Sequence, residues 1–232
     1  MSLATTALLL ASLLVVGCAN GKGPDEIVVR EKVNPQHGWV MRLDLREAPS
    51  QPKHVEGYAS YQTIWSGEVC PSKQMVRWET RMPWQYAKVK MTQVEPGIYE
   101  GTFYLDHWQD EAYFERGVCA WRLNTAGVSF SGEGGKGFGS GIGYTKIGTE
   151  ATSPTDGLDY YYIQDWTSPA TPGGVASASM VPRNEFKDDL ENSRVQDRTV
   201  FFPVRIFAHP AENGPGLGVR EEFKARTGQD IE

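Results

Sequence analysis

Apolar and polar residues alternate along most of this chain. Trp39, Met41, Leu43 and Leu45 are set against Val40, Arg42 and Asp44. Tyr99, Gly101, Phe103 and Leu105 share one phase, with Glu100, Thr102, Tyr104 and Asp106 in the other. Cys119, Trp121 and Leu123 alternate with Ala120, Arg122 and Asn124, and Val76, Trp78 and Thr80 with Arg77 and Glu79. Val89 and Met91 oppose Lys88 and Lys90. Side chains of a strand point to its two faces in turn, so each run predicts a strand with one face in a core. Pro96-Gly97 separates two such runs and predicts a hairpin of residues 85–94 and 98–105. Proline presets one turn corner there, and glycine tolerates the left-handed conformation at the other. Further strands are expected at 26–30, 57–65, 127–131, 160–163 and 199–207. Helical signals are sparse. The best is 184–192, where Asn184 can cap and Phe186 and Leu190 are four apart, followed by one or two turns over 219–226.

Short strands separated by turn signals, without a repeat, predict an all-β fold, an antiparallel β-sandwich of immunoglobulin-like or transthyretin-like type. Two stretches interrupt the rhythm: residues 131–143, dominated by glycine, and 167–182, rich in Pro, Gly, Ser and Ala. Both are expected to be long surface loops.

Before the first strand lies an uncharged apolar run, Ala7-Leu8-Leu9-Leu10-Ala11-Ser12-Leu13-Leu14-Val15-Val16, followed by Gly17 and Cys18. It is shorter than the roughly 20 apolar residues that span a bilayer. Gly17, Asn20, Gly21, Gly23 and Pro24 would break a buried helix there. A signal-peptide core fits its length, although no Lys or Arg precedes it. Val15-Val16-Gly17-Cys18 resembles the lipobox of bacterial lipoproteins. The resemblance implies cleavage before Cys18, a lipid on its thiol and attachment to an envelope membrane. Ala19 in place of Asp implies sorting to the outer membrane, facing the periplasm or the cell surface. The chain then divides into a signal peptide (1–17), lipidated cysteine and tether (18–25), a sandwich domain (26–210) and a polar C-terminal tail (211–232) that adds little to the core.

That compartment changes the reading of the cysteines. With Cys18 acylated, Cys70 and Cys119 remain, and an even pair in an oxidising environment predicts one disulfide. The competing reading is two free thiols, one of them reactive, but no His or Asn context marks either as activated. The bridge is expected to join two strands, with Trp78 and Trp121 against it. Two cysteines with core tryptophans resemble the immunoglobulin-like arrangement, although Trp78 follows Cys70 closely and Trp121 lies beyond the second cysteine. The formal charge of −6, from 23 Lys and Arg against 29 Asp and Glu, with no basic cluster, argues against nucleic acid as a partner.

Catalytic signatures are missing. The glycine-rich stretch lacks the phosphate-loop order, because Gly137 and not Ser or Thr follows Lys136. His37, His54, His107 and His209 show no metal-ligand spacing, and no cofactor is implied. Asp106-His107 is the one acid–imidazole neighbour pair. On a strand the two would face apart, so Asp106 is expected to serve as a turn former bonded to nearby backbone amides. Seven Trp and ten Tyr are the other resource. Tyr160-Tyr161-Tyr162 with Trp166 forms the candidate binding surface, against the alternative that β proteins use aromatics for core and cross-strand packing.

Three readings follow. The first is a lipid-anchored, non-catalytic protein-interaction module that binds an envelope protein or neutralises a toxin. The second is a glycan- or peptidoglycan-binding sandwich. The third is a hydrolase whose site is assembled from separate loops. Exposed aromatics in a row on a flat face favour the second. A pocket with a carboxylate–imidazole pair favours the third, and a broad patch without a pocket favours the first.

Overall fold

A computed structural model describes residues 28–63, 70, 72–73, 80–81, 84–113, 117–132, 137–147, 158–164, 179–182 and 200–231, with backbone alone at 72–73, 80–81, 137–140, 158–164, 179–182 and 200–203. Its strands are β1 (Gly38–Asp44), β2 (His54–Thr63), β3 (Ser72–Lys73), β4 (Thr80–Arg81), β5 (Trp84–Val89), β6 (Thr92–Glu95), β7 (Ile98–Tyr104), β8 (Trp121–Ser131), β9 (Gly137–Gly143), β10 (Leu158–Gln164), β11 (Ser179–Pro182) and β12 (Val200–Pro210). A helix, α1 (Val219–Thr227), follows.

The fold is an all-β sandwich. One sheet has six strands in the order β11-β10-β12-β1-β7-β6, the other four in the order β5-β2-β8-β9, and β3 and β4 form a separate small ladder. Every pairing is antiparallel. The first strand and the last lie side by side at the centre of the larger sheet. Neither the immunoglobulin-like nor the transthyretin-like subtype is assigned.

The alternation read from sequence generates the core. Trp39, Met41 and Leu43 on β1 meet Ala59 and Tyr61 on β2, Phe103 on β7, and Leu123, Ala126, Val128 and Phe130 on β8 in one buried cluster. Each large side chain so buried contributes about 1.5–3 kcal/mol relative to exposure. The Tyr61 hydroxyl crosses between the sheets and donates to the Tyr104 carbonyl at 2.7 Å.

The departures from the sequence pattern have local physical causes. The run 85–94 is two strands in different sheets, β5 and β6, with the chain crossing between them at Lys90 and Met91. The crossing passes between two glycines. A Cβ on Gly57 would lie 2.8 Å from Val89 and 2.9 Å from Met91 Sδ, and one on Gly101 2.6 Å from Met91 Sδ and 2.9 Å from the Lys90 carbonyl. The hairpin at Pro96-Gly97 joins β6 to β7, with Gly97 at φ 77° and its absent Cβ leaving room for the Arg46 backbone. The two runs predicted at 119–124 and 127–131 are one strand, β8. Pairing with β2 steps from Thr125 to Leu123, so Asn124 is a bulge that reverses the phase of the apolar positions.

The glycine stretch is also not a loop, because 137–143 is β9, an edge strand of the smaller sheet. Gly137, Gly139, Gly141 and Gly143 occupy alternate positions, and this hid the period of two. Within 167–182, Ser179–Pro182 is likewise a strand. The segment 26–30 does not form a strand over its described residues, Val28 to Arg30, and Glu31 makes only an isolated bridge to Trp108. The proposed helix at 184–192, and Trp78, lie outside the described residues.

Cys70 and Cys119 are bonded, with Cα atoms 5.6 Å apart. The bridge does not join two named strands. It ties Cys70, beyond β2, to Cys119, which pairs with Glu111 just before β8. Trp121 is buried next to it in sequence and packs edge-on against Tyr113.

Residues from 211 onward do enter the core. Val219 and Phe223 of α1 are buried, and the Trp39 indole donates to the Leu217 carbonyl at 3.1 Å. A carboxylate-rich first turn (Glu221, Glu222), basic last turn (Lys224, Arg226) and left-handed Gly228 at the C-cap suit a short helix.

Two expectations follow. Gly101→Ala should destabilise the fold by about 1–3 kcal/mol, because the added methyl collides with the crossover backbone. A lower urea midpoint with unchanged slope would report it. Cys70→Ala should lower stability by about 2–5 kcal/mol, and a digest of unreduced protein should contain one linked peptide pair.

Candidate functional site

Two surfaces carry chemistry. The first is a buried charge network at the end of the sandwich where β1 begins and β7 ends. Asp106, 2% exposed, follows β7 and accepts bonds from the Lys32 ammonium at 2.6 Å and from the backbone N–H groups of Gln36 and His37. These donors are distant in sequence, so Asp106 joins the N-terminal segment to the sandwich and does not merely form a local turn. Burial alone would raise its pKa. The Lys32 ammonium and the two backbone donors outweigh burial and hold the carboxyl below its ordinary value.

His37 Nδ1 lies 3.7 Å from Asp106 and 3.4 Å from Glu222 of α1, without a hydrogen bond to either. Glu222 pairs with Arg226 at 2.7 Å, and Arg226 also binds Asp110 and the Trp121 carbonyl. His107, the neighbour of Asp106, faces elsewhere. It stacks on Tyr61 and meets Trp108 edge-on, and Glu31 is 3.6 Å from its Nε2. Burial there pushes its imidazole pKa down against the opposing pull of Glu31 and Asp106.

This cluster contains the carboxylate–imidazole juxtaposition that a hydrolase needs. However, the facing nitrogen of His37 is buried, and both carboxylates already serve cationic or backbone donors. The network's chemistry is that of a clamp on the N-terminal segment and α1. A shallow cleft of about 310 Å³ lies at the far end of β1, lined by Asp44, Arg46, Glu47 and Arg205. Asp44 and Arg46 there are bonded to each other at 2.6 Å and 3.0 Å. Among the described residues no group of three or more His, Cys, Asp or Glu stands where it could hold a metal ion.

The second surface is the outer face of the four-stranded sheet, built from the positions in the opposite phase to the core. Across β5, β2 and β8, Trp84 is in register with Gln62, and Gln62 with Arg122. The next row is Tyr86, Ser60, Thr125 and, on β9, Gly143. The third is Lys88, Tyr58, Gly127 and Gly141. Trp84 and Tyr86 are 44% and 67% exposed, two residues apart on the edge strand.

Tyr58 reaches across β8, where Gly127 offers no side chain. Its hydroxyl lies 3.2 Å from the place a Cβ on Gly141 would occupy. Burial, with Tyr86 close by, pushes its phenol pKa up. At the first row Arg122 is only 8% exposed, and its guanidinium sits 4.1 Å from the centre of the Tyr144 ring. Among the described residues Arg122 Nε and Nη1 have no hydrogen-bond partner. The Arg122 guanidinium, joined by Arg220, holds the Tyr144 phenol pKa below its usual value.

The candidate surface read from sequence lies on the other, six-stranded sheet. Tyr160, Tyr161 and Tyr162 are on β10, an interior strand between β11 and β12, with Tyr160 in register with the buried Val204 and Tyr161 with Pro203. Their side chains, Trp166 and Cys18 lie outside the described residues. Sequence reasoning did not single out Trp84, Tyr86, Tyr58, Arg122 or Tyr144. The available signal was that Trp84 and Tyr86 share phase with Lys88, opposite Ala87 and Val89.

The network generates a pH expectation. Because Asp106 has a lower pKa folded than unfolded, its contribution is complete above about pH 4 and is lost as pH falls through the depressed folded value. Asp106→Asn should therefore flatten the acid limb of a stability–pH curve. Asp106→Ala should cost about 2–4 kcal/mol at neutral pH, less than a fully buried pair because Lys32 reaches solvent. Denaturant titrations at stepped pH test both. No protein-family model, curated protein or solved structure matches this chain.

Proposed function

We propose that this chain is a lipid-anchored envelope lipoprotein whose β-sandwich is a non-catalytic binding module, with the outer face of the four-stranded sheet as its contact surface. The observation that carries the reading is the exposed pair Trp84 and Tyr86 on the same side of an edge strand. Large aromatics left in water on a rigid strand lose little conformational entropy on binding, and Trp and Tyr dominate measured contact energies. Among the described residues the other exposed large apolar side chains, Val28, Val33, Val94 and Val118, are aliphatic and lie outside this face.

The tether follows from the lipobox-like Val15-Val16-Gly17-Cys18. Acyl chains hold a protein by about 0.8 kcal/mol per buried methylene, and two or more chains hold it stably. Residues 18–28 allow a reach of at most about 35 Å from the membrane surface. The partner is then a component of the outer membrane or periplasm, a protein or a glycan. The hydrolase reading has less support, since the imidazole–carboxylate cluster acts as a clamp and has no described cleft over it.

Cys18→Ser should release the protein from the membrane fraction into the soluble fraction, as fractionation and immunoblotting will show. Continued detergent-only extraction would overturn the anchor. Separately, Trp84→Ala/Tyr86→Ala should fold as well as the parent by circular dichroism, and should capture at least tenfold less cross-linked envelope material. Equal capture by the folded double variant would exclude this face.

A further inference from the structure

The composition of the outer face narrows its ligand. None of its described side chains is aliphatic. It offers aromatic planes at Trp84, Tyr86 and Tyr58, hydroxyls at Thr125 and Ser129, and bare backbone at Gly141 and Gly143. Aromatic and arginine side chains are also enriched in protein interfaces, so it is the hydroxyls, the bare backbone and the charge of this face that favour a sugar. A sugar ring presents the complementary pattern: an apolar face of C–H groups that stacks on an aromatic plane, edged by hydroxyls that need donors and acceptors. Trp84 and Tyr86 stand roughly 6.8 Å apart along the strand, a spacing at which successive rings of one oligosaccharide can each meet an aromatic. Gly143 has nothing within 4 Å of the place its Cβ would take, whereas Ser60 in the same row is buried, so access to this row is from the Gly143 side and from the Tyr86 edge.

Charge adds a second, independent constraint. Arg122 is nine-tenths buried on this face; its guanidinium lies over the Tyr144 ring and bonds that phenol, but its Nε and Nη1 have no hydrogen-bond partner among the described residues, and a buried cation short of acceptors is costly. Lys88 is exposed two residues from Tyr86, and Arg220 acts on Tyr144 beside Arg122. The carboxylate described on the same face, Glu56, is 3.1 Å from His54, also on that face. In a chain of net charge −6, this is a local excess of cations.

We propose that the outer face of the four-stranded sheet binds an acidic oligosaccharide, with pyranose rings stacked on Trp84 and Tyr86 and a sugar carboxylate drawn to Arg122 and Lys88. The inference rests on the reading of this face as the contact surface and adds the class of ligand. Displacement of the Tyr144 ring from the Arg122 guanidinium would open those nitrogens to the carboxylate.

The test uses the full chain carrying Cys18→Ser, titrated by calorimetry and tryptophan fluorescence with oligogalacturonates and hyaluronan fragments, and with cellohexaose as the neutral probe. An acidic oligosaccharide should bind at least tenfold more tightly than cellohexaose, and its affinity should fall with added salt. Trp84→Ala and Tyr86→Ala should each weaken binding at least tenfold. Lys88→Gln, at an exposed position that cannot disturb the core, and Arg122→Gln should reduce the preference for acidic over neutral sugar. Failure of every acidic oligosaccharide to bind would overturn the inference. If envelope capture then remains dependent on Trp84 and sensitive to protease, the face is a protein-binding surface and only the ligand class is wrong. If capture ignores Trp84 and Tyr86, the contact surface itself is wrong.

Discussion

A carboxylate removed from water must have its oxygens occupied by donors, and at Asp106 that requirement organises one whole end of the molecule. Its donors come from Lys32, Gln36 and His37, all in the segment before β1, so satisfying one buried charge ties down a stretch that makes little regular structure of its own. His37 then lies between Asp106 and Glu222, and Glu222 holds Arg226, which reaches Asp110 and the backbone ahead of β8. The N-terminal segment, the exit of β7, the start of β8 and the C-terminal helix are thus linked by groups that cannot be removed singly without stranding a partner.

The same end receives the disulfide and the chain's approach from its N-terminus. Cys70 and Cys119 close the region between β2 and β8, while the chain toward Cys18 leaves from the segment clamped by Asp106. Ends of a domain fray unless tied down, and this segment is tied down by Asp106. The outer face of the smaller sheet begins at this end, with Trp84, Gln62 and Arg122 in its first row.

That face is possible because of glycine. Gly127 and Gly141 let Tyr58 lie across the sheet, and alternate glycines on β9 keep the edge free of side chains while Ile142 still enters the core. Gly57 and Gly101 solve a different problem, giving room for the chain to change sheets between β5 and β6. In both places a missing side chain permits close approach, whereas at Gly97 the need is for a positive φ.

Alternation within a strand is a local property, and it made the sandwich class and the inward residues of β1, β7 and the start of β8 readable from the chain alone, as Pro96-Gly97 did for the turn into β7 and the even cysteine count for the disulfide. The lipobox resemblance likewise needs only adjacent residues. What the chain did not reveal depends on contacts between distant segments. The bulge at Asn124 and the sheet change at Lys90 appear only once partner strands are in register. Asp106 finds Lys32 and His37 across some seventy residues, and Trp84, Gln62 and Arg122 form a row only because three strands align. Period two states which residues share a face, but only tertiary packing decides which face is buried, what lies beside it and which aromatics are left in water.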